Sequence, residues 1–203
     1  MASFYFRYGA MKSGKSAHLM QVAHNYEERD MKVIVAKPKI DSKGEDEIVS
    51  RTGLHRKVDY LIEDNKSFKE FLNKLDDIKC ILIDEAQFLD KEIIDTLYEF
   101  NKIKDVPVIC YGLKNDFRTL AFPASIRLLE LADTIEELVT ICQCGKRAKF
   151  NARIVNGEYV LYGEQIAIDG VEARYDSLCG ECYLKKVLKI NLEEKNDWFT
   201  YTY

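Results

Sequence analysis

Apolar positions along this chain fall into two textures. Short, largely apolar or aromatic runs occupy residues 4–8 (FYFRY), 31–36 (MKVIVA), 80–83 (CILI) and 107–113 (PVICYGL), and each ends within two residues of Gly, Pro or an acidic pair. Runs of that length and punctuation predict strands buried on both faces. Between them, apolar residues recur every three or four positions, which predicts amphipathic helices over about 15–29 (Leu19, Val22, Ala23, Tyr26), 67–75 (Phe68, Phe71, Leu72, Leu75), 90–103 (Ile93, Ile94, Leu97, Phe100) and 124–132. Ser67 is the expected N-cap of the second helix. Shorter strands are expected at 58–62 and near 135–140, and the polar, glycine-containing stretch 39–57 reads as a long loop. Strands alternating with helices in this way predict an α/β fold, a mostly parallel sheet with helices on both faces. From Cys142 onward the texture changes to cysteines, glycines and short alternating segments such as 159–162 and 165–168, with residues from 184 helical at first and then a tail. The expected organisation is a core over 1–140, a small β unit over 141–190 and a C-terminal tail over 191–203.

The first strand leads into Gly9, Ala10, Met11, Lys12, Ser13, Gly14, Lys15 and Ser16, the spacing G-x-x-x-x-G-K-[ST]. Glycines open backbone angles closed to other residues, so that successive N–H groups of such a loop turn inward around a phosphate. Lys15 would reach the outer phosphates, the Ser16 hydroxyl would hold Mg²⁺, and the helix that follows points its positive end at the same anion. This predicts a nucleoside triphosphate site of the P-loop, RecA-like kind. The strand 80–83 ends in Asp84-Glu85, and a carboxylate at a strand tip is the natural second holder of Mg²⁺, which points to Asp84. Glu85, ionised near neutrality, can accept a proton from an attacking hydroxyl or orient it.

Composition narrows the partners. The 203 residues include 30 basic and 34 acidic side chains, a net charge of −4, which argues against a nucleic acid or an anionic membrane held mainly by charge. No stretch approaches the roughly 20 apolar residues that span a bilayer, so the expected compartment is the cytoplasm. Six cysteines in a reducing compartment need an account other than disulfides. Cys142-x-Cys144 and Cys179-x-x-Cys182, separated by 34 residues, read as a Cys₄ site for a structural Zn²⁺. Cys80 and Cys110 lie in apolar strands and read as core thiols, and no chemistry is assigned to His18, His24 or His55. Trp198 and the aromatic residues after it read as a frayed tail.

Together GAMKSGKS and DEAQF resemble the thymidine kinases of the cytosolic and bacterial type, which carry a zinc-bearing lasso. The likeness extends to YGLKNDFR (111–118), ADTIEEL (132–138), ICQCG (141–145) and the closing CxxC, nearly the whole chain. It implies ATP-dependent phosphorylation of thymidine or deoxyuridine at the 5′-hydroxyl, with Glu85 as the base. It also implies Gln87 and Phe88 beside the nucleotide and substrate, Phe117 against the thymine ring, and Met11, Leu113 and Phe122 closing that pocket. Tyr175 matches the lasso tyrosine over the substrate, and residues 168–172, including Ile168 and Gly170, would offer main-chain hydrogen bonds to the base. A homotetramer inhibited by dTTP is implied by the resemblance alone. One departure stands out: where the family often has Asp-x-Arg after the second strand, this chain has Asp41-Ser42-Lys43. Asp41 could still act near the sugar or Mg²⁺, but Lys43 lacks the planar fork that grips two phosphate oxygens. The rival expectations are a P-loop ATPase using a zinc ribbon on nucleic acid and a catalytically silent nucleotide sensor.

Overall fold

The computed structural model describes residues 1–39, 46–165 and 173–192. Its centre is a sheet of six parallel strands: β1 (Phe4–Tyr8), β2 (Val33–Pro38), β5 (Tyr60–Ile62), β6 (Cys80–Ile83), β7 (Val108–Gly112) and β8 (Thr134–Glu137), in the order β5-β2-β6-β7-β1-β8. Alternate residues of each strand face opposite layers, as the strand period of two requires. Phe4, Phe6, Ile34, Ile81, Ile83 and Cys110 pack against α2 (Asn65–Asn73), α3 (Lys91–Lys104) and α4 (Pro123–Leu131). Val33, Val35, Cys80, Leu82 and Tyr111 pack against Leu19, Met20 and Ala23 of α1 (Lys15–Glu27). The expected mostly parallel sheet with helices on both faces is the fold observed, and Cys80 and Cys110 are core thiols at 0 % exposure.

Three local expectations are corrected. Part of the stretch read as loop is a hairpin, β3 (Glu47–Val49) against β4 (His55–Lys57). Its three-residue strands have one buried apolar side chain, Ile48, which is too little periodicity to be recognised locally. The cap of α2 is Asp64 rather than Ser67: its carboxylate accepts the Ser67 N–H at 2.9 Å, and Ser67 is already inside the helix. The final helix, α5 (Gly180–Lys186), begins before residue 184 because Cys179 is its N-cap.

Beyond the central sheet, β9 (Thr140–Ile141) pairs with β10 (Arg147–Ala148), and β11 (Phe150–Val155) is flanked by β12 (Glu158–Val160) and β13 (Arg174–Leu178), all antiparallel. The segment expected as a strand at 165–168 lies outside the described residues from 166 on, as does the tail from 193, Trp198 included. Among the described residues no helix is long and apolar enough to cross a membrane.

Candidate active site

The three central strands β1, β6 and β7 deliver their C-terminal tips to one place, where open parallel sheets bind ligands. After β1 the chain turns through residues 9–16. Gly14 takes φ 80°, open to glycine, and heads α1. Gly9 is needed for a different reason from the one its place in the motif implies. Its backbone is not left-handed, but an added Cβ would lie 2.4 Å from the Leu138 carbonyl oxygen and 2.5 Å from Ser13 Oγ. The second left-handed residue of the loop is Lys12, at φ 67°. Lys15 lies buried beneath, its Nζ donating to the carbonyls of Gly9 and Ala10 at 3.2 Å each. Burial pulls the Lys15 pKa down, opposed by the charges of Glu85 and Asp84.

After β6, Asp84 is 3 % exposed, and burial, with Glu85 beside it, pushes its pKa up to about 7 against a hydrogen bond from Ser16. A buried carboxylate paired with the P-loop hydroxyl is a donor set suited to Mg²⁺, a hard cation that takes oxygen ligands. Glu85 sits at φ 49°, ψ 37°, a left-handed conformation held at a cost by a non-glycine residue. Its N–H donates to Asp84 Oδ1 at 3.0 Å, and its carboxylate is oriented by Gln87, 2 % exposed: Gln87 Nε2 donates to Glu85 Oε2, and Gln87 Oε1 accepts the Leu113 N–H at 2.9 Å. The side chain of Gln87 is therefore engaged with Glu85 and the tip of β7. Gly112 leaves it room, since a Cβ there would come within 2.8 Å of Gln87 Oε1.

After β7, the segment 113–122 is knotted around Asp116, a residue the sequence did not single out. Its carboxylate accepts the N–H groups of Arg118 and Leu120 at 2.8 and 3.0 Å and the Arg118 guanidinium at 2.8–2.9 Å. This knot presents Phe117, and Phe122 meets Phe88 edge-on with ring centroids 5.8 Å apart.

The small antiparallel sheet closes the site from above. On β11 and β13, Asn151 is opposite Ser177 and Arg153 opposite Tyr175, so these four side chains share one face. Asn151 Oδ1 accepts the Met11 N–H at 2.8 Å, its Nδ2 donates to the Asn115 carbonyl at 3.1 Å, and Ser177 Oγ donates to the Met11 carbonyl. Both backbone groups of Met11 are thus taken by this sheet. Arg153, buried, lies 3.8 Å from the Phe117 ring centroid and donates to Tyr175 Oη at 2.8 Å. Alternation along 150–155 was the signal that could have found Asn151 and Arg153.

These elements enclose one cavity of about 580 Å³. Of the residues singled out from the sequence, Met11, Lys12, Gly14, Lys15, Ser16, Glu85, Gln87, Phe88, Leu113, Phe117, Phe122 and Tyr175 line it. Gly9, Ala10, Ser13 and Asp84 are not among the residues that line it, and Asp41, Lys43, Ile168 and Gly170 lie outside the described residues.

At the rim of the small sheet, Cys142, Cys144, Cys179 and Cys182 bring their sulfurs within 4.8 Å of one another. A tetrahedral ion with sulfur ligands at about 2.3 Å needs S···S separations just under 4 Å, so the cluster fits Zn²⁺. Gly145 at φ 83° closes the first turn, and Cys179 Sγ accepts the Cys182 N–H at 3.5 Å in the second.

The sequence profile of the thymidine kinase family matches residues 2–183. A thymidine kinase from Chromobacterium violaceum is 42 % identical over 185 residues, covering 90 % of this chain and 98 % of that protein. One from Lactiplantibacillus plantarum is 44 % identical over 177 residues (86 % and 92 %), and one from Mannheimia succiniciproducens 40 % over 195 residues (94 % and 100 %).

Proposed function

Given that this chain belongs to the thymidine kinase family and so phosphorylates thymidine, we propose that the phosphoryl donor is ATP, that deoxyuridine is also accepted, and that Glu85 is the general base. The observation that carries this is the single cavity lined both by Lys15, Ser16 and Glu85 and by Leu113, Phe117, Phe122 and Tyr175. The first group is phosphate and proton chemistry, and the second is a flat apolar slot for a base. About 580 Å³ lies in the range of small-molecule sites.

In this scheme the loop 9–16 and Lys15 hold the phosphates, and Lys15 exchanges two backbone carbonyls for phosphate oxygens. Ser16 and Asp84 would hold Mg²⁺, which when bound neutralises charge on the β- and γ-oxygens. Glu85 takes the proton of the 5′-hydroxyl as its oxygen bonds to the γ-phosphorus. The bond from that phosphorus to the bridging oxygen breaks, and its electron pair leaves with ADP. The cysteine cluster would hold a structural Zn²⁺ that keeps β11 and β13 over the base. On the same family footing we propose a cytoplasmic homotetramer inhibited by dTTP, to be checked by sedimentation and by initial rates with added dTTP.

The test of the central assignment is Glu85→Gln. It is expected to bind thymidine and ATP with near-parental affinity by calorimetry and to lose at least about a hundredfold in kcat, the usual contribution of a positioned base. Near-parental turnover would remove Glu85 from this role.

A further inference from the structure

The hairpin β3–β4 brings a cation to the cavity that the scheme above does not use. Its turn, residues 50–53, contributes Ser50, Arg51 and Thr52 to the same wall as Lys15, Ser16 and Glu85. The turn is firmly built: Ser50 Oγ accepts the Leu54 N–H at 3.1 Å and bonds Thr52 Oγ1 at 2.7 Å, and Gly53 takes φ 84°. The strands beneath it are fastened across α1. Ile48, 3 % exposed, packs with Leu19 and Met20, and Arg56 forks onto the Glu27 carboxylate at 2.8 and 3.0 Å. From the sheet side, Lys37 Nζ donates to the Glu47 carbonyl at 2.9 Å. The hairpin is therefore docked on the helix that begins with Lys15 and Ser16.

Arg51 differs from its neighbours. Among the described residues Arg56 has Glu27, Lys57 has Asp46 and His55 has Glu47, whereas Arg51 has no ion pair or hydrogen bond. It instead lines the same cavity as Lys15. Two cations on separate elements thus face one space, an arrangement that an anion between them relieves. The loop backbone and Lys15 already suit the inner part of a polyphosphate. A second cation from outside the loop, lining the cavity that Glu85 also lines, suits its outer end.

We propose that Arg51 grips the terminal phosphoryl group of the donor nucleotide, its guanidinium donating two hydrogen bonds to non-bridging oxygens as that group is transferred. Arg51 makes and breaks no covalent bond; it places positive charge where negative charge gathers. The assignment rests on the phosphoryl-transfer reading above.

The test compares Arg51→Ala and Arg51→Lys with the parent enzyme in binding and in turnover. By calorimetry with Mg²⁺, Arg51→Ala is expected to lose at least about tenfold in affinity for adenosine 5′-(β,γ-imido)triphosphate and less than about threefold for ADP, which lacks the group gripped. Its kcat is expected to fall at least about a hundredfold with KM for thymidine unchanged, and Arg51→Lys to recover part of the loss without the fork. Equal losses for the two nucleotides, or a kcat within about threefold of the parent, would overturn the assignment. If the parent phosphorylates no nucleoside, the function proposed above fails, while the binding comparison still decides what Arg51 touches.

Discussion

Gln87 decides where Glu85 points. The carboxylate of Glu85, a residue left-handed at φ 49°, is bonded by a buried amide that also accepts the Leu113 N–H, so one side chain ties the acidic tip of β6 to the tip of β7. If Glu85 is the base proposed above, Gln87→Ala should lower kcat roughly tenfold or more, because small misplacements of a reacting group are costly, and KM for ATP should hardly move. Asp84 supplies a pH signature. Its folded pKa, about 7, lies above its ordinary value of 3.8. Below 3.8 both states are protonated and nothing is lost; between the two values the unfolded chain releases a proton that the folded one keeps, so stability falls as pH rises. Asp84→Asn, without Mg²⁺ or nucleotide, should therefore raise Tm at pH 8 by about 4–8 °C, and change it little at pH 4, by differential scanning calorimetry. An equal shift at both pH values would refute the buried-carboxylate account. At this scale the sequence was legible where a residue type has one dominant use, as with Lys15 or the acidic doublet. It was silent on Asp116, whose work is to bond four groups of its own segment.

Elements were legible in proportion to how much apolar surface they bury. The main helices and the central strands fall within a few residues of their expected bounds, because each carries its own stripe or run into the core. The β3–β4 hairpin escaped notice because it is held by docking on α1 and β2 instead of by its own pattern. The face of β11 and β13 is the other case: alternation is visible in the sequence, but the direction of the polar side is not. Arg153 is the key residue on that face, stacked on Phe117 and bonded to Tyr175. Arg153→Met should raise KM for thymidine about tenfold, the loss of a cation–π contact and a charged hydrogen bond, with KM for ATP and kcat little changed. Arg153→Lys should recover less than half of that loss, since an ammonium cannot lie flat on a ring. Equal increases in both KM values would mean a general structural defect.

Across the whole molecule, one cavity spans two layers, and the small sheet touches the phosphate loop itself through Met11. Metal at the cysteines should therefore act at a distance. Chelation of Zn²⁺ should lower Tm by roughly 10 °C, if the ion contributes a few kcal/mol of folding energy, and weaken thymidine binding more than ADP binding. Unchanged thymidine affinity in metal-free protein would sever the small sheet from the base site. The sequence by itself determined the α/β class, the phosphate loop, the acidic strand tip and the paired cysteines, because each is written in residues close along the chain, where local geometry and periodicity suffice. Only the tertiary structure decided that Gln87 orients Glu85, that Asn151 and Ser177 hold Met11, that Arg153 backs Phe117 and that Arg51 overlooks Lys15. Those contacts join residues from 2 to 166 positions apart, and all but the shortest depend on how whole layers dock, which no local pattern encodes.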